Sequence, residues 1–144
     1  MTNSVEIVQR DSDGSYSPLS TDGQLITKGY SPAASDWAYA AANLGIVNTT
    51  TAVTIKAAVA AKKNYITSIQ IHAEALNTAT EVAIRDGAGG AVLWRTKIGT
   101  GGLPLVTINF PNPLVGSTNT LLEVVTLTAS VSGAVYFNAQ GYTL

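Results

Sequence analysis

The chain has 144 residues, of which 12% are charged, and its formal net charge is −1 at pH 7. A chain of this length forms one ordinary domain with a single core. Without a basic stripe it cannot neutralise a phosphate backbone, so we expect no nucleic-acid partner. The absence of cysteine excludes disulfides and thiolate zinc sites. A surface with so little charge is suited to permanent assembly with other proteins.

Neither export nor a membrane partner is predicted. Residues 1–6 lack the positively charged and apolar regions of a secretory signal. The longest weakly polar stretch, residues 57–61, is far too short to span a bilayer. We therefore expect a soluble protein that is made in a cytoplasm.

Residues 1–30 are polar and contain two Asp-Gly pairs, Asp13-Gly14 and Asp22-Gly23, between short β-prone pieces. Asp-Gly is a favoured hairpin turn because both positions tolerate positive φ. The pieces are too short and too polar to form a core alone, so we predict an extended arm that lies on another surface. The residues expected to anchor this arm are Tyr16, Pro18, Leu19 and Leu25.

The segment 35–45 has two interpretations. Ser35 is a suitable N-cap for a helix through residues 38–42 that would end at Gly45. The alternation of Trp37, Tyr39 and Ala41 is equally typical of a strand. Helix propensity slightly favours the first interpretation, and the residues alone leave both open.

From residue 52 onward, short runs rich in Val, Ile and Thr are separated by turn signals. Such spacing predicts seven or eight antiparallel strands and an all-β fold. Residues 31–144 are predicted to form an antiparallel β-sandwich with the strand count of a jelly roll or an immunoglobulin-like domain, and the Cys-Trp-Cys core of true immunoglobulin domains is absent. Pro111 and Pro113 are expected to end ladder pairing. The predicted strands are 52–58, 64–75, 80–85, 91–97, 103–110, 120–128 and 134–142.

Alternation along the strands predicts which side chains face the core. In the second strand, one face is expected to carry Tyr65, Thr67, Ile69, Ile71 and Ala73, and the other Ser68, Gln70, His72 and Glu74. In the strand 103–110, the inward residues are Val106, Ile108 and Phe110, and the outward ones are Thr107 and Asn109.

The segment 120–128 is apolar on both faces, with Leu121, Val125 and Leu127 on one and Leu122 and Val124 on the other. A strand of this kind lies at the centre of a sheet and has both faces covered. We therefore predict an oligomer, with Leu122 and Val124 contributing to a subunit interface.

No residue pattern predicts catalysis, a metal or a cofactor. His72 is the sole histidine, and a metal site with Glu74 would need a third ligand from Glu81 or Asp86, so a solvated polar stripe is the simpler interpretation. Residues 11–15 lack the glycine and glutamate positions of a calcium loop. The Gly-rich segments 87–90 and 99–102 are expected to be hairpin loops without phosphate binding. We therefore expect that the protein is not an enzyme.

The last strand carries an aromatic and amide stripe on one face, formed by Tyr136, Asn138, Gln140 and Tyr142. Aromatic faces stack on sugars and amides hydrogen-bond to hydroxyls, so the stripe fits a glycan. Tyrosine is also enriched at protein interfaces, and the sequence favours a subunit interface at this stripe over a sugar site.

Five segments carry a resemblance to known proteins: NYITSIQI (64–71), IRDG with VLWR in the hairpin 84–95, FPNPL (110–114), NTLL (119–122) and VYFNAQGY (135–142). The N-terminal DSDGSYSPL (11–19), followed by DGQL (22–25), resembles openings that are common in phage virion proteins. Together these segments resemble a widespread family of small structural proteins from tailed bacteriophages and prophages.

The resemblance implies a virion component, made in a bacterial host. Members similar to this chain are jelly-roll capsid decoration (cement) proteins, which sit as trimers on the head and clamp neighbouring capsomers. The implied partner is thus the major capsid protein. This chain is expected to bind it as a homotrimer, with residues 1–30 added as a strand to a capsid subunit. Other members are head-fibre or tail-tip modules, which makes receptor or glycan binding the alternative. The resemblance also implies an extended segment at residues 37–42.

Overall fold

The computed structural model describes residues 34–144 and, before them, two short strands, β1 (Gln9–Arg10) and β2 (Tyr16–Ser17). β1 and β2 pair antiparallel and bracket the predicted turn at Asp13-Gly14. The chain divides into two compact units, Met1–Ser31 and Pro32–Leu144.

Most of the predicted N-terminal arm lies outside the described residues. This applies to Pro18, Leu19 and Leu25, to the side chain of Tyr16 and to the calcium-like segment 11–15. The anchoring role of the arm stays a prediction.

Within residues 34–144 the structure is all-β, with two four-stranded antiparallel sheets and no helix. The first sheet has the order β3-β10-β5-β8 and the second the order β4-β9-β6-β7. The strands are β3 (Ser35–Tyr39), β4 (Val53–Lys56), β5 (Asn64–Ala73), β6 (Thr80–Asp86), β7 (Ala91–Ile98), β8 (Leu103–Val115), β9 (Leu122–Thr126) and β10 (Val135–Thr143). The described part of the chain contains no helix long and apolar enough to cross a membrane.

Consecutive strands alternate between the two sheets, except for the β6–β7 hairpin around residues 87–90. The expected hairpin at residues 87–90 is therefore confirmed. The expected hairpin at residues 99–102 is wrong, because this loop leads from β7 in the second sheet to β8 in the first. Glycine is nevertheless required at position 102. Gly102 adopts a φ of 81°, and a Cβ on it would lie 2.6 Å from the carbonyl oxygens of Ala73 and Glu74.

The core lies between the two sheets. The first sheet contributes Phe137, Ile69 and Ile71, and the second contributes Ile84, Leu122 and Val124. Burial of each such side chain stabilises the fold by about 1.5 to 3 kcal/mol.

The prediction that Leu122 and Val124 form a subunit interface is wrong, because both side chains are 0% exposed inside the domain's own core. Val125, on the opposite face of β9, is also buried within the chain, at 2% exposure. β9 lies between β4 and β6, at the centre of its sheet as predicted. No neighbouring subunit is needed to explain why this strand is apolar on both faces.

The segment 35–45 is extended at its start and not helical. β3 pairs antiparallel with the end of β10, where Trp37 lies opposite Gly141 and Tyr39 opposite Ala139. Trp37 and Tyr39 pack against the core, and this burial outweighs the slight helix preference of the alanines beside them. The conformation implied by the resemblance is thus confirmed for residues 37–39, and the strand ends before Ala42.

A β-bulge at Thr67 changes the predicted faces of β5. Both neighbouring strands shift register here, so that Ser68 lies opposite Gln140 and Ile66 opposite Gly141. The extra residue inverts the alternation, and Ile66 is fully buried. Ile69, Ile71 and Ala73 face the core as predicted. The prediction that Tyr65 and Thr67 share the face of Ile69, Ile71 and Ala73 is wrong, since Tyr65 is aligned with the outward Tyr142.

The strand β8 continues past the prolines that were expected to end it. Pairing with β5 is interrupted between Asn109 and Leu114 and then resumes, with Leu114 opposite Ile66. Pro111 and Pro113 therefore lie in the irregular part of an edge strand, where the missing N–H groups cost no ladder bonds. The inward direction of Val106, Ile108 and Phe110 is confirmed, and Thr107 and Asn109 are exposed.

Candidate functional site

The outer face of the first sheet carries carboxamides and hydroxyls in place of charges. We call this surface the amide face; its six polar residues are Ser68 and Gln70 on β5, Thr107 and Asn109 on β8, and Asn138 and Gln140 on β10. Strand alternation places them there, because the residues between them on β5, β8 and β10 point into the core.

Strand register brings these side chains together. Gln140 lies opposite Ser68, which in turn lies opposite Asn109. Asn138 lies opposite Gln70, and its Oδ1 accepts a hydrogen bond of 2.8 Å from the backbone N–H of Ala41. Directly opposed residues have Cβ atoms about 4.5 to 5.5 Å apart, so these polar side chains lie beside one another across the strands.

Aromatic pairs flank the amides along β10 and β5. Tyr142 stacks on Tyr65 with ring centroids 4.6 Å apart and an interplanar angle of 10°. Tyr136 stacks on His72 at 6.0 Å and 21°. Stacking holds each ring in a defined orientation beside the polar groups.

The amide face is grooved. One depression of about 430 Å³ spans all four strands and is lined by the six amide-face residues together with Ala38, Tyr39, Ala40, Ile69 and Ala139. A second depression of about 480 Å³ adjoins it and is lined by Asp36, Trp37, Ala38, Thr67, Gln140, Gly141 and Tyr142. The two depressions share Ala38 and Gln140, so they adjoin and form one groove.

The bulge at Thr67 helps to shape this groove. Bulges bend a strand and increase its twist, and they often occur beside functional sites. At the bulge, the backbone of Tyr65 comes so close to Gly141 that a Cβ there would lie 1.8 Å from the Tyr65 carbonyl oxygen and 2.7 Å from Cζ2 of Trp37. Only glycine fits this position.

The outer face of the second sheet has the opposite character. Arg85 and Glu123 form an ion pair of 2.7 Å, and Arg95 and Glu81 approach to 3.6 Å. The charges of the sandwich are therefore concentrated on the second sheet, and the amide face is almost free of them.

Asp86, the last residue of β6, connects this strand to the loop that precedes β9. Its carboxylate accepts hydrogen bonds from the Ser117 hydroxyl at 2.6 Å, from the Thr120 hydroxyl at 2.5 Å and from the Ser117 backbone N–H. Partial burial alone would raise the pKa of Asp86, but these hydrogen bonds together hold that pKa below its usual value. Asp86 thus stabilises the loop before β9 as a carboxylate.

Two neighbouring loops of the sandwich carry exposed aliphatic side chains. We call this set the apolar end; it consists of Leu44, Val47, Leu127 and Val131, with exposed fractions between 42% and 70%. The loops are joined by hydrogen bonds from the Asn48 N–H to the Ser130 carbonyl and between Ile46 and Val135. Leu44 adopts a φ of 71°, which bulky residues rarely do.

The structure brings the predicted stripe together as the sequence indicates, with Tyr136, Asn138, Gln140 and Tyr142 on one face of β10. The sequence did not reveal that Ser68, Gln70, Thr107 and Asn109 extend this stripe into a face. Their outward alternation was visible, but their alignment depends on sheet order, which the sequence does not specify.

The histidine and its neighbouring acids do not converge. His72 stacks on Tyr136, and Glu74 accepts a hydrogen bond of 3.0 Å from the Ala134 N–H. Among residues 34–144, no group of three or more His, Asp and Glu side chains is placed to hold a metal ion.

Comparisons with known proteins assign no family to this chain. No family model matches the chain, and no curated protein matches it. Among solved structures, a chain of the cyanophage Pam1 capsid asymmetric unit aligns with a TM-score of 0.48 and 14% identity, over 85% of this chain and 95% of that chain. A similarity of this level assigns no function to this chain.

Proposed function

We propose that this chain is a non-enzymatic structural protein of a tailed-phage virion, a capsid decoration protein that binds the outside of the head and stabilises it. The observation that carries the proposal is the apolar end. Exposed aliphatic side chains on neighbouring loops of a folded domain are typical of a protein–protein contact. The partner class, a major capsid protein, comes from the resemblance of the sequence to small virion proteins.

The strained residue Leu44 supports a contact role for this end. A non-glycine residue in the left-handed region costs about 1 to 2 kcal/mol, and its side chain is 70% exposed and gains no burial in return. Strain of this kind persists where a residue serves binding.

We further propose that the sandwich is a jelly roll. Eight strands in the orders β3-β10-β5-β8 and β4-β9-β6-β7, with nearly every connection crossing between the sheets, support this assignment. Jelly rolls have eight strands arranged as two Greek keys and are frequent in viral capsids.

A homotrimer is the proposed assembly, as the resemblance implies. Light scattering of the purified protein should give three times the chain mass of 14.9 kDa. A monomer at every concentration tested would contradict the trimer.

Co-sedimentation with capsids of the parent phage that lack the protein tests the decoration role. The full chain should sediment with them, and the double variant Leu44→Asn/Val131→Ser should bind at least about tenfold more weakly, a loss of about 1.4 kcal/mol. Asparagine tolerates the left-handed region, so Leu44→Asn relieves strain and a loss of binding would not come from unfolding.

The matched control is Leu105→Ser, which removes an equally exposed leucine from β8. It should bind like the original chain. Failure of the full chain to sediment with capsids would contradict the decoration role. Equal binding by the double variant would contradict the assignment of the contact to the apolar end.

A further inference from the structure

Among the described residues, those that line the groove on the amide face offer neutral polar groups and include no cationic side chain. Its first depression presents four carboxamides, from Gln70, Asn109, Asn138 and Gln140, and two hydroxyls, from Ser68 and Thr107. Each carboxamide both donates and accepts hydrogen bonds, which suits a ligand that carries many hydroxyl groups. Of the residues in the described part of the chain that line the two depressions, Asp36 alone is charged, and it belongs to the second depression.

The second depression adds an aromatic wall. Tyr142 supplies this wall from β10, and stacking on Tyr65 fixes the Tyr142 ring. An aromatic face beside carboxamides offers contact to the apolar C–H face of a sugar ring while the amides bind its hydroxyls. Small-molecule sites typically combine an apolar or aromatic wall with a few fixed polar groups in a cavity of about 300 to 1,000 Å³, and each depression falls in this range.

A permanent protein interface would have a different composition. Such an interface is centred on large anchor side chains that fill pockets of the partner. The described residues that line the first depression include no exposed large aliphatic side chain, and the exposed aliphatic residues of loops 44–47 and 127–131 belong to the apolar end. The chemistry of the groove therefore fits a hydroxyl-rich ligand better than a second copy of the chain.

We propose that this groove binds an uncharged oligosaccharide, which crosses from the four-strand depression over Gln140 to the Tyr142 wall. Gln140 contacts the ligand at the junction of the two depressions, because it lines both. Asn138 is less available, since its Oδ1 is occupied by the Ala41 N–H. Binding at this face does not depend on the capsid contact at the apolar end.

Calorimetric titration of the full chain tests this proposal. The probes are three neutral hexasaccharides (maltohexaose, cellohexaose and chitohexaose) and two charged saccharides (sialyllactose and hexagalacturonate). At least one neutral probe should bind with a submillimolar Kd, and the charged ones should bind at least about tenfold more weakly. Gln140→Ala and Tyr142→Ala should each weaken the neutral probe by about tenfold or more.

The control variant is Lys97→Ala on the second sheet, which should leave the Kd within about twofold. Gln140 is exposed, so its replacement leaves the core intact even if Tyr142→Ala reduces stability. Three outcomes would overturn the proposal: no response to any neutral probe, equal affinity for the charged saccharides, or a Gln140→Ala variant that binds sugar normally. If Gln140→Ala changes the oligomeric mass and leaves the sugar affinity unchanged, the amide face is a subunit contact, and the sugar-binding proposal is overturned.

Discussion

The side chain of Asn64 hydrogen-bonds to three other segments at one end of the sandwich. Its Nδ2 donates to the carbonyl oxygens of Ala57 and Thr120, at 3.0 and 3.2 Å, and its Oδ1 accepts from the Thr143 hydroxyl at 2.7 Å. The side chain is 1% exposed, so water cannot replace these partners. Buried polar groups that lose a partner carry their full desolvation cost.

Replacement of this residue should therefore be strongly destabilising. We expect Asn64→Ala to lower the free energy of unfolding by about 2 to 4 kcal/mol, because it leaves several buried polar groups unpaired. Urea unfolding followed by fluorescence measures this change. The control Asn109→Ala, on the exposed amide face, should stay within about 0.5 kcal/mol of the original chain. Equal changes in the free energy of unfolding for the two variants would show that the buried hydrogen bonds of Asn64 do not stabilise the fold.

Asp86 makes the stability of the fold depend on pH. Its pKa is lowered in the folded state, so the unfolded chain binds a proton more readily. This contribution is fully present above the unfolded pKa of about 3.9 and is lost as the pH falls through the folded value. Asp86→Asn should therefore be less stable at pH 7, and the difference should shrink as the pH falls below about 4.

Unfolding by urea at a series of pH values between 7 and 3 checks this expectation. Ser117→Ala removes one of the hydroxyl donors to Asp86 and should show a smaller change of the same sign. A stability difference between the original chain and Asp86→Asn that is constant across the series would mean that this carboxylate is not responsible.

At the scale of the element, the bulge in β5 depends on one glycine. A Cβ at Gly141 would collide with the backbone of Tyr65, whereas one at Gly101 would meet nothing within 4 Å. We expect Gly141→Ala to destabilise the fold by about 1 to 3 kcal/mol, as overpacking does. Gly101→Ala should remain within about 0.5 kcal/mol. Thermal unfolding of both variants makes the comparison, and equal midpoints would contradict the role given to Gly141.

Strand positions were largely predictable because each strand of residues 52–144 combines β-branched residues with turn signals at its ends. β6 and β7 begin at the predicted residues, Thr80 and Ala91. The bulge at Thr67 was not predictable, since local alternation continues through the sequence and only the neighbouring strands reveal the shift. The prediction that the prolines end β8 failed for a related reason. Proline ends a ladder in a central strand but is tolerated in an edge strand, and the sequence does not show which strands lie at an edge.

The same limit applies to the candidate site. The stripe on β10 is visible because its four residues belong to one strand. The partners of that stripe on β5 and β8 lie 30 to 70 residues away in the sequence, and only the sheet order brings them together. The misassignment of Leu122 and Val124 has the same origin, because a central strand of a sandwich and a subunit interface both require apolar residues.

At the scale of the whole molecule, the two surfaces of the sandwich have separate proposed roles. We propose protein contact for the apolar end and sugar binding for the amide face, so variants of one surface should leave the other function intact. A decoration protein of this design would stabilise the head and present a saccharide-binding face on its outside.

Removal of residues 1–30 tests the predicted arm. Because residues 32–144 form a compact unit of their own, the truncated chain should remain folded with a cooperative unfolding transition. It should no longer bind capsids if the arm is their anchor. Circular dichroism and co-sedimentation measure the two properties, and decoration by the truncated chain would show that the arm is dispensable and that the apolar end suffices.

Electron cryomicroscopy of the parent particle would show directly whether the protein lies on the outside of a phage head. We expect two-sheet density of this size at regular positions on the outer shell, with Leu44 and Val131 directed at the capsid. Density for the protein at a tail tip or fibre, or its absence from purified particles, would rule out the decoration role.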